Sequence, residues 1–227
     1  MEFIDESISK YAEDHTNPES ETLAKLNRDT WANVLIPRML SGHMQGRILS
    51  MLSKIKAPQT ILEIGTYTGY SAICLAEGLA PGGLLHTIDI NEELEEMVLQ
   101  YVEESGMSDK IKMHVGNAME IIPALNASFD LVFIDADKEN YSNYFDMVID
   151  RMPIGGVLIA DNVLWSGKVL QAKELEKDEE TQALDAFNKK VHADPRVENV
   201  LFPVRDGLMV VRKKAKDFPS AVPFVFA

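Results

Sequence analysis

Apolar residues recur along this chain with two different periods, and the change from one to the other near Thr60 divides it. Up to about residue 55 the spacing is helical, with Phe3, Ile4, Ile8 and Tyr11 falling on one face. Asn17-Pro18 marks a break, and Pro18 suits a first helical turn. Thr22 to Asn33 reads as a second helix. Met39-Leu40-Ser41-Gly42-His43 then interrupts before Met44–Leu52, with Ser41 and Gly42 marking a loop or a helix start.

From Thr60 onward, short apolar runs alternate with helical stretches. The pattern predicts strands at Thr60–Ile64, Leu84–Asp89, Ile111–Val115, Leu131–Ile134 and Val157–Ala160. Helices are predicted between them at Tyr70–Leu79, Glu92–Glu104, Met119–Leu125 and Tyr141–Arg151. A run as solidly apolar as Leu131-Val132-Phe133-Ile134 has no polar face to show to water, which is the mark of a parallel sheet covered on both sides. After Leu164 comes a polar loop, then a charged helix within Glu179–His192. Val197–Phe202 and Leu208–Val211, joined through Arg205-Asp206-Gly207, read as a hairpin, so the last strand should run antiparallel. The expected architecture is α/β: a Rossmann-like, doubly wound sheet of seven strands, mostly parallel with an antiparallel last strand, plus N-terminal helices. We expect one domain, with a helical cap to about residue 55, a core over 60–213 and a tail over 214–227. Asp217–Ala227, with two prolines and three phenylalanines, is either disordered or packs on a partner.

Composition narrows the function classes. The 227 residues are 46% hydrophobic, enough for one large core. Lys plus Arg number 22 against 36 Asp plus Glu, a net charge of −14. Such a surface repels a polyanion, so nucleic-acid binding is disfavoured. The one cysteine, Cys74, lies among apolar helix residues and is expected to be a buried core thiol. The acidic start Met1-Glu2-Phe3-Ile4-Asp5-Glu6 lacks the basic and apolar regions of a signal peptide, and no apolar run is long enough for a membrane helix. These features predict a cytoplasmic protein without a membrane partner.

The first chemical stretch is Ile61–Ser71, an apolar run ending in Gly65 and re-entering helix at Gly69 or Tyr70. Such a strand–loop–helix lets backbone amides and a helix N-terminus approach a ligand closely. A dinucleotide fingerprint would need a glycine where Tyr67 stands, so a pyrophosphate is poorly served. Glu63 adds a carboxylate that could face the site and would suit a cationic amino-acid moiety. Asp89 ends the second strand, where an acid can accept hydrogen bonds from ribose hydroxyls. Together these fit S-adenosylmethionine, a nucleoside without phosphate; the alternative is a tight turn with solvated acids.

The second stretch is Phe129–Tyr141. Asp135 ends a buried strand, Asp137 and Lys138 follow on its loop, and the next strand ends in Ala160-Asp161-Asn162. Asp135 and Asp161 therefore share the sheet edge where ligands of open α/β sheets collect. Oxygen donors from Asp135, Asp161 and Asn162 would favour a hard divalent cation, magnesium foremost and manganese or calcium otherwise, over zinc. Acids after strands also cap helices; two acids and an amide on neighbouring strands tilt the reading to a metal. Lys138 draws interest by standing next to this cluster.

In order along the chain, Glu63-Ile64-Gly65-x-x-x-Gly69-Tyr70-Ser71, Asp89, Asp135-Ala136-Asp137-Lys138-x-Asn140-Tyr141 and Asp161-Asn162-x-x-Trp165 resemble the cation-dependent O-methyltransferases. That family contains caffeoyl-CoA O-methyltransferase and, more distantly, catechol O-methyltransferase; Met39–Gly46 is similar to its bacterial members. The resemblance spans essentially Met39 to Lys213. It implies that Met39, Ser41, Glu63, Gly65, Ser71, Asp89 and Ala118, with Thr66 beside Gly65, line the S-adenosylmethionine pocket. It implies that Asp135, Asp161 and Asn162 hold the metal, Asp135 also approaching the cofactor's amino group, and that Lys138 is the catalytic base. A homodimer is implied as well. Asp137 departs from the aromatic residue of the catechol enzymes, so their substrate-gating wall does not carry over. Nor do the N-terminal segment and the Ser166–Asp178 loop match well enough to carry substrate choice.

The expected reaction is methyl transfer to one hydroxyl of a vicinal diol, a catechol-type phenolic small molecule such as a CoA ester or a flavonoid. A phenol with its ordinary pKa near 10 stays protonated at neutral pH, and a divalent cation would acidify it. Lys138 would take or relay the proton. Two other readings stand beside this one. A hydroxylated uridine in tRNA, the acceptor of some bacterial relatives, is opposed by the −14 charge. A protein that binds S-adenosylmethionine without turnover is opposed by the complete acid set and Lys138.

Overall fold

The computed structural model describes residues 4–215. Helices α1 (Glu6–Asp14), α2 (Glu21–Asn33) and α3 (Gly42–Lys56) precede the sheet. Side-chain oxygens start the first two: Asp5 accepts from the Ser7 amide at 2.9 Å and Ser20 from the Leu23 amide at 3.2 Å. Helix α3 stops where Ala57 turns left-handed, with φ 47, and Pro58 follows. The reading of Asp217–Ala227 lies outside the described residues, as does Phe3 at the start of the first predicted helix.

Strands β1 (Thr60–Ile64), β2 (Leu84–Asp89), β3 (Ile111–Val115), β4 (Leu131–Ile134) and β5 (Val157–Ala160) carry the predicted bounds. With β6 (Val197–Phe202) and β7 (Leu208–Lys213) they form one sheet in the order β3-β2-β1-β4-β5-β7-β6. The first five pair in parallel, and β7 runs antiparallel to both β5 and β6. The order reverses between β1 and β4, so the switch point lies beyond Ile64 and Ile134, which are in register.

Alternation along the strands feeds two cores. Leu62, Ile64, Ile88, Val132 and Ile134 pack with Ile122 of α6 (Ala118–Ala124), Phe145 of α7 (Tyr141–Ile149) and Phe187 of α9 (Glu179–Ala193). Ile61, Leu85, Leu131 and Phe133 pack on the other face with Leu49 of α3, Cys74 of α4 (Tyr70–Ala76) and Tyr101 of α5 (Glu95–Glu104). All four residues of β4 are fully buried, as a central parallel strand requires. Cys74 is buried and free.

Helix boundaries differ from the sequence reading. Helix α4 ends three residues early, because Gly78 and Leu79 donate to the carbonyls three residues back, Leu75 and Ala76. Gly78 there lies against the Ser53 backbone of α3. The helix predicted from Glu92 begins as a 3-10 turn, Glu92–Leu94, started by Asn91, whose side chain accepts from the Glu93 amide at 3.0 Å. The stretch read as polar loop after Leu164 contains a short helix, α8 (Ala172–Lys177), which buries no residue and so shows no apolar stripe in sequence. Among the described residues no helix is long and apolar enough to cross a membrane.

Candidate active site

The residues singled out in sequence come from seven places along the chain, and all but one line a single cavity of about 1580 Å³ over the carboxyl ends of β1, β2, β4 and β5. Met39, Ser41, Gly65, Thr66, Ser71, Asp89, Ala118, Asp135, Lys138, Asp161 and Asn162 are all on its wall. A pocket for one small molecule is about 300–1,000 Å³, so this one has room for two reactants.

The glycine loop forms one end. Gly65 has φ 97, and a Cβ on it would stand 1.9 Å from the Asp135 carbonyl oxygen, so the loop after β1 touches the loop after β4. Gly69, with φ 87, opens α4. Tyr67, where a dinucleotide site would have its middle glycine, is itself left-handed with φ 50. Its hydroxyl reaches back to the carbonyls of Leu35 and Ile36, at 3.2 and 3.3 Å. Thr68 accepts from Thr30 of α2 at 3.2 Å, a second tie from cap to loop.

Asp89 is organised by backbone. Its Oδ2 accepts from the amides of Thr66 and Tyr67, at 3.0 and 2.7 Å, and its Oδ1 from Asn91 at 2.9 Å. A carboxylate offers about four acceptor positions, so capacity for a further donor remains. The charged residues on this stretch of wall, Asp89 and Glu93, are acids, which suits an uncharged or cationic ligand better than a phosphate.

Glu63 is the exception. Sequence reasoning turned it toward the ligand, whereas alternation along β1 sends it to the α4 face, beneath the wall and with no exposure. Its Oε2 accepts from Thr87 Oγ1 at 2.5 Å, and its Oε1 is buried with no hydrogen-bond partner among the described residues. Burial pushes its pKa up to about 8 against the hydrogen bond from Thr87, which favours the charged form.

The other end is built from side chains. Lys138, 7% exposed, donates from Nζ to Tyr141 Oη at 2.7 Å, Asn162 Oδ1 at 2.9 Å and Asp135 Oδ1 at 3.2 Å. Three donors thus meet three acceptors, the pattern of an ammonium. Tyr141 Oη donates in turn to the Asp161 backbone carbonyl at 3.1 Å. Asp161 Oδ1 accepts from the Asn162 amide at 2.7 Å, and Oδ2 from Gln45 Nε2 at 2.6 Å. Burial, then the neighbouring Asp135, push the Asp161 carboxyl up to about 7. Asn162 sits left-handed with φ 59, and Trp165 and Ser166 follow at 47 and 54. The hairpin turn holds this strained stretch: Asp206 accepts from the Ser166 amide at 2.5 Å, and its carbonyl from Leu164 at 2.9 Å.

Asp137 faces the same cavity but is engaged, accepting from Tyr144 Oη at 2.6 Å and from Asn140. Among the described residues no three His, Cys, Asp or Glu side chains are grouped to hold a metal. A cation here would draw on two carboxylates and the Asn162 amide oxygen, hard donors that fit magnesium, manganese or calcium. The Lys138 ammonium, bonded to Asp135 and Asn162, marks that point as one that attracts positive charge. Sequence reasoning missed Gln45, a polar residue on the α3 face that carries Leu49 and Ser53; that misplacement on a buried stripe is the signal that could have found it.

A family model described as O-methyltransferase matches residues 12–214. Caffeoyl-CoA O-methyltransferase of Mesembryanthemum crystallinum is 37% identical over 179 residues, covering 74% of this chain and 70% of the relative. Among solved structures, the O-methyltransferase from Bacillus cereus in complex with SAH superposes with a TM-score of 0.82 at 30% identity, over 91% of this chain and 97% of that one. TomG from Streptomyces achromogenes, an O-methyltransferase involved in tomaymycin synthesis and solved with SAM, gives 0.83 at 28% identity, over 92% and 96%. With residues 12–214 matched by the family model and the curated relative above 30% identity over most of both chains, the chain belongs to the O-methyltransferase family and is an S-adenosylmethionine-dependent O-methyltransferase of the caffeoyl-CoA O-methyltransferase-like kind.

Proposed function

We propose that this enzyme transfers a methyl group from S-adenosylmethionine to one hydroxyl of a vicinal diol on a phenolic small molecule, with a divalent cation held by Asp135, Asp161 and Asn162. One observation carries the reading: the glycine loop and the oxygen cluster line one cavity and touch where Gly65 meets the Asp135 carbonyl. A cation on those three residues supplies Lewis acidity, which brings the pKa of a bound hydroxyl down toward neutrality.

The residues of the chain do the rest. Gly65, Thr66, Ser71, Asp89 and Ala118, with Met39 and Ser41 from the cap, hold and orient the cofactor; Glu63 supports the loop from beneath. Asp135 and Asn162 would hold a cation with the oxygens that now accept from Lys138, leaving Lys138 Nζ with Tyr141 as its partner on the cavity wall. Lys138 takes or relays the acceptor hydroxyl's proton at Nζ once it is itself deprotonated. Trp165, on the same wall, stands beside Lys138 with its ring centre 5.7 Å from Nζ and gives a flat acceptor a surface to lie on. Orientation of the two reactants supplies much of the remaining rate. A homodimer is part of the proposal by family likeness, and light scattering of the purified chain checks it.

The test is labelled methyl transfer over catechols, flavonoids, CoA esters and tRNA, with and without EDTA. Transfer to a catechol-type acceptor that EDTA abolishes and magnesium restores is the expected result. Asp161→Ala should abolish that transfer and leave S-adenosylmethionine binding intact. EDTA-resistant turnover, or an acceptor without a vicinal diol, would sink the reading.

A further inference from the structure

We propose that Gln45 is a positioning residue for Asp161, holding that carboxylate in the orientation from which it shares a cation with Asp135 and Asn162. The inference rests on the reading of those three residues as the cation site. Gln45 lies in the first turn of α3, only 1% exposed, within the Met39–Gly46 segment, where the resemblance gives roles to Met39 and Ser41 and none to Gln45.

Its amide reaches Asp161 Oδ2 at 2.6 Å, bridging 116 residues of sequence. Only the nitrogen end of the amide can donate to a carboxylate, so chemistry decides which way it points. The Asn162 amide takes the other oxygen at 2.7 Å. Each oxygen thus has one fixed donor and keeps a lone pair for a cation. Asp161 is 4% exposed and lies near the Asp135 carboxylate, and the Lys138 ammonium bonds Asp135 and Asn162 rather than Asp161. Gln45 gives Oδ2 its hydrogen bond, so removing it frees that oxygen to rotate away from Asp135, with the Arg205 guanidinium acting on the carboxylate only through its charge. Outer partners that orient metal-binding carboxylates are worth about 10–100-fold in metal affinity. Gln45 also stands four residues after Ser41 on the cavity wall, so the helix that carries the cap's cofactor contact sets the position of its amide.

Gln45→Met keeps the length and bulk of the side chain and removes the donor; Gln45→Leu does so with a different shape. Both are compared with the parent chain and Asp161→Ala by manganese titration, read from the free-ion paramagnetic signal. Calorimetric titration with S-adenosylhomocysteine runs in parallel. We expect manganese affinity to fall about 10–100-fold in Gln45→Met, with S-adenosylhomocysteine affinity unchanged. If the parent binds manganese and Asp161→Ala does not, the cation site stands; unchanged manganese affinity in Gln45→Met then overturns the role of Gln45 alone. A parent chain that binds no manganese removes the cation site itself and this inference with it. Joint loss of manganese and S-adenosylhomocysteine binding in both Gln45 variants would assign the residue to packing and overturn the proposal.

Discussion

The two ends of the cavity hold their acids in opposite ways. Asp89 accepts from three backbone amides and, among the described residues, has no cation as partner, and the loop it gathers is shaped by Gly65 and Gly69. Asp135 and Asp161 sit where side chains decide: one lysine, one asparagine and one glutamine answer two carboxylates. The first end is a backbone mould whose charge is already absorbed by dipoles. At the second, the half-buried Asp135 takes the Lys138 ammonium, and the buried Asp161 beside it is pushed up to about 7. A mould suits a ligand that is always the same, whereas the under-compensated cluster suits a cation and an acceptor that come and go.

Substitutions should separate the two ends. Gly65→Ala should do most, since its Cβ would overlap the Asp135 carbonyl and its φ of 97 is left-handed ground. Such strain and overlap should cost roughly 3 kcal/mol or more, abolish turnover and visibly lower the melting temperature by calorimetry. Retained activity would show that the two loops are not in contact.

Lys138→Ala should lower kcat by about 10²–10⁴-fold, the usual worth of a positioned acid–base group. Cofactor affinity should be unaltered by titration. Asp89→Ala is the reciprocal change, weakening the cofactor by about 10–100-fold through lost charged hydrogen bonds while manganese binding persists. If either variant weakened both ligands alike, the division into two ends would fail.

Glu63→Gln sharpens the comparison from below. The carboxyl is ordinarily near 4.5 and stands at about 8 in the folded chain. A raised folded pKa gives stabilisation that is full below the unfolded value and lost as pH rises through the folded one. The parent should therefore lose thermal stability between about pH 5 and 9 through this group. Glu63→Gln should flatten that slope in a pH series of melting curves. Tyr144→Phe should have the smallest effect, about 1 kcal/mol for one hydrogen bond to Asp137, with turnover nearly intact; a large fall in kcat would bring Asp137 into the chemistry.

Strands β4 and β5 were readable because a parallel strand buried on both faces is an unbroken apolar run; Leu131–Ile134 could hardly be anything else. Both chemical stretches were readable because each puts acids or glycines directly after such a run. Helix ends were less so: α4 stops where Gly78 meets Ser53, a contact no local pattern reveals. Helix α8 buries nothing and left no stripe. Glu63 shows the limit within the site, since neighbours in sequence do not disclose which sheet face an acid at a strand end will take. Gln45 shows the same limit across 116 residues, where only the fold brings amide and carboxylate together.

The contact between Gly65 and the Asp135 carbonyl has one more consequence. The loops after β1 and β4 are spaced by two touching main chains, a length no rotamer can alter. The spacing of those two loops is therefore set like a machinist's spacer. The Ser166–Asp178 segment lies outside that contact and can change in sequence without altering it.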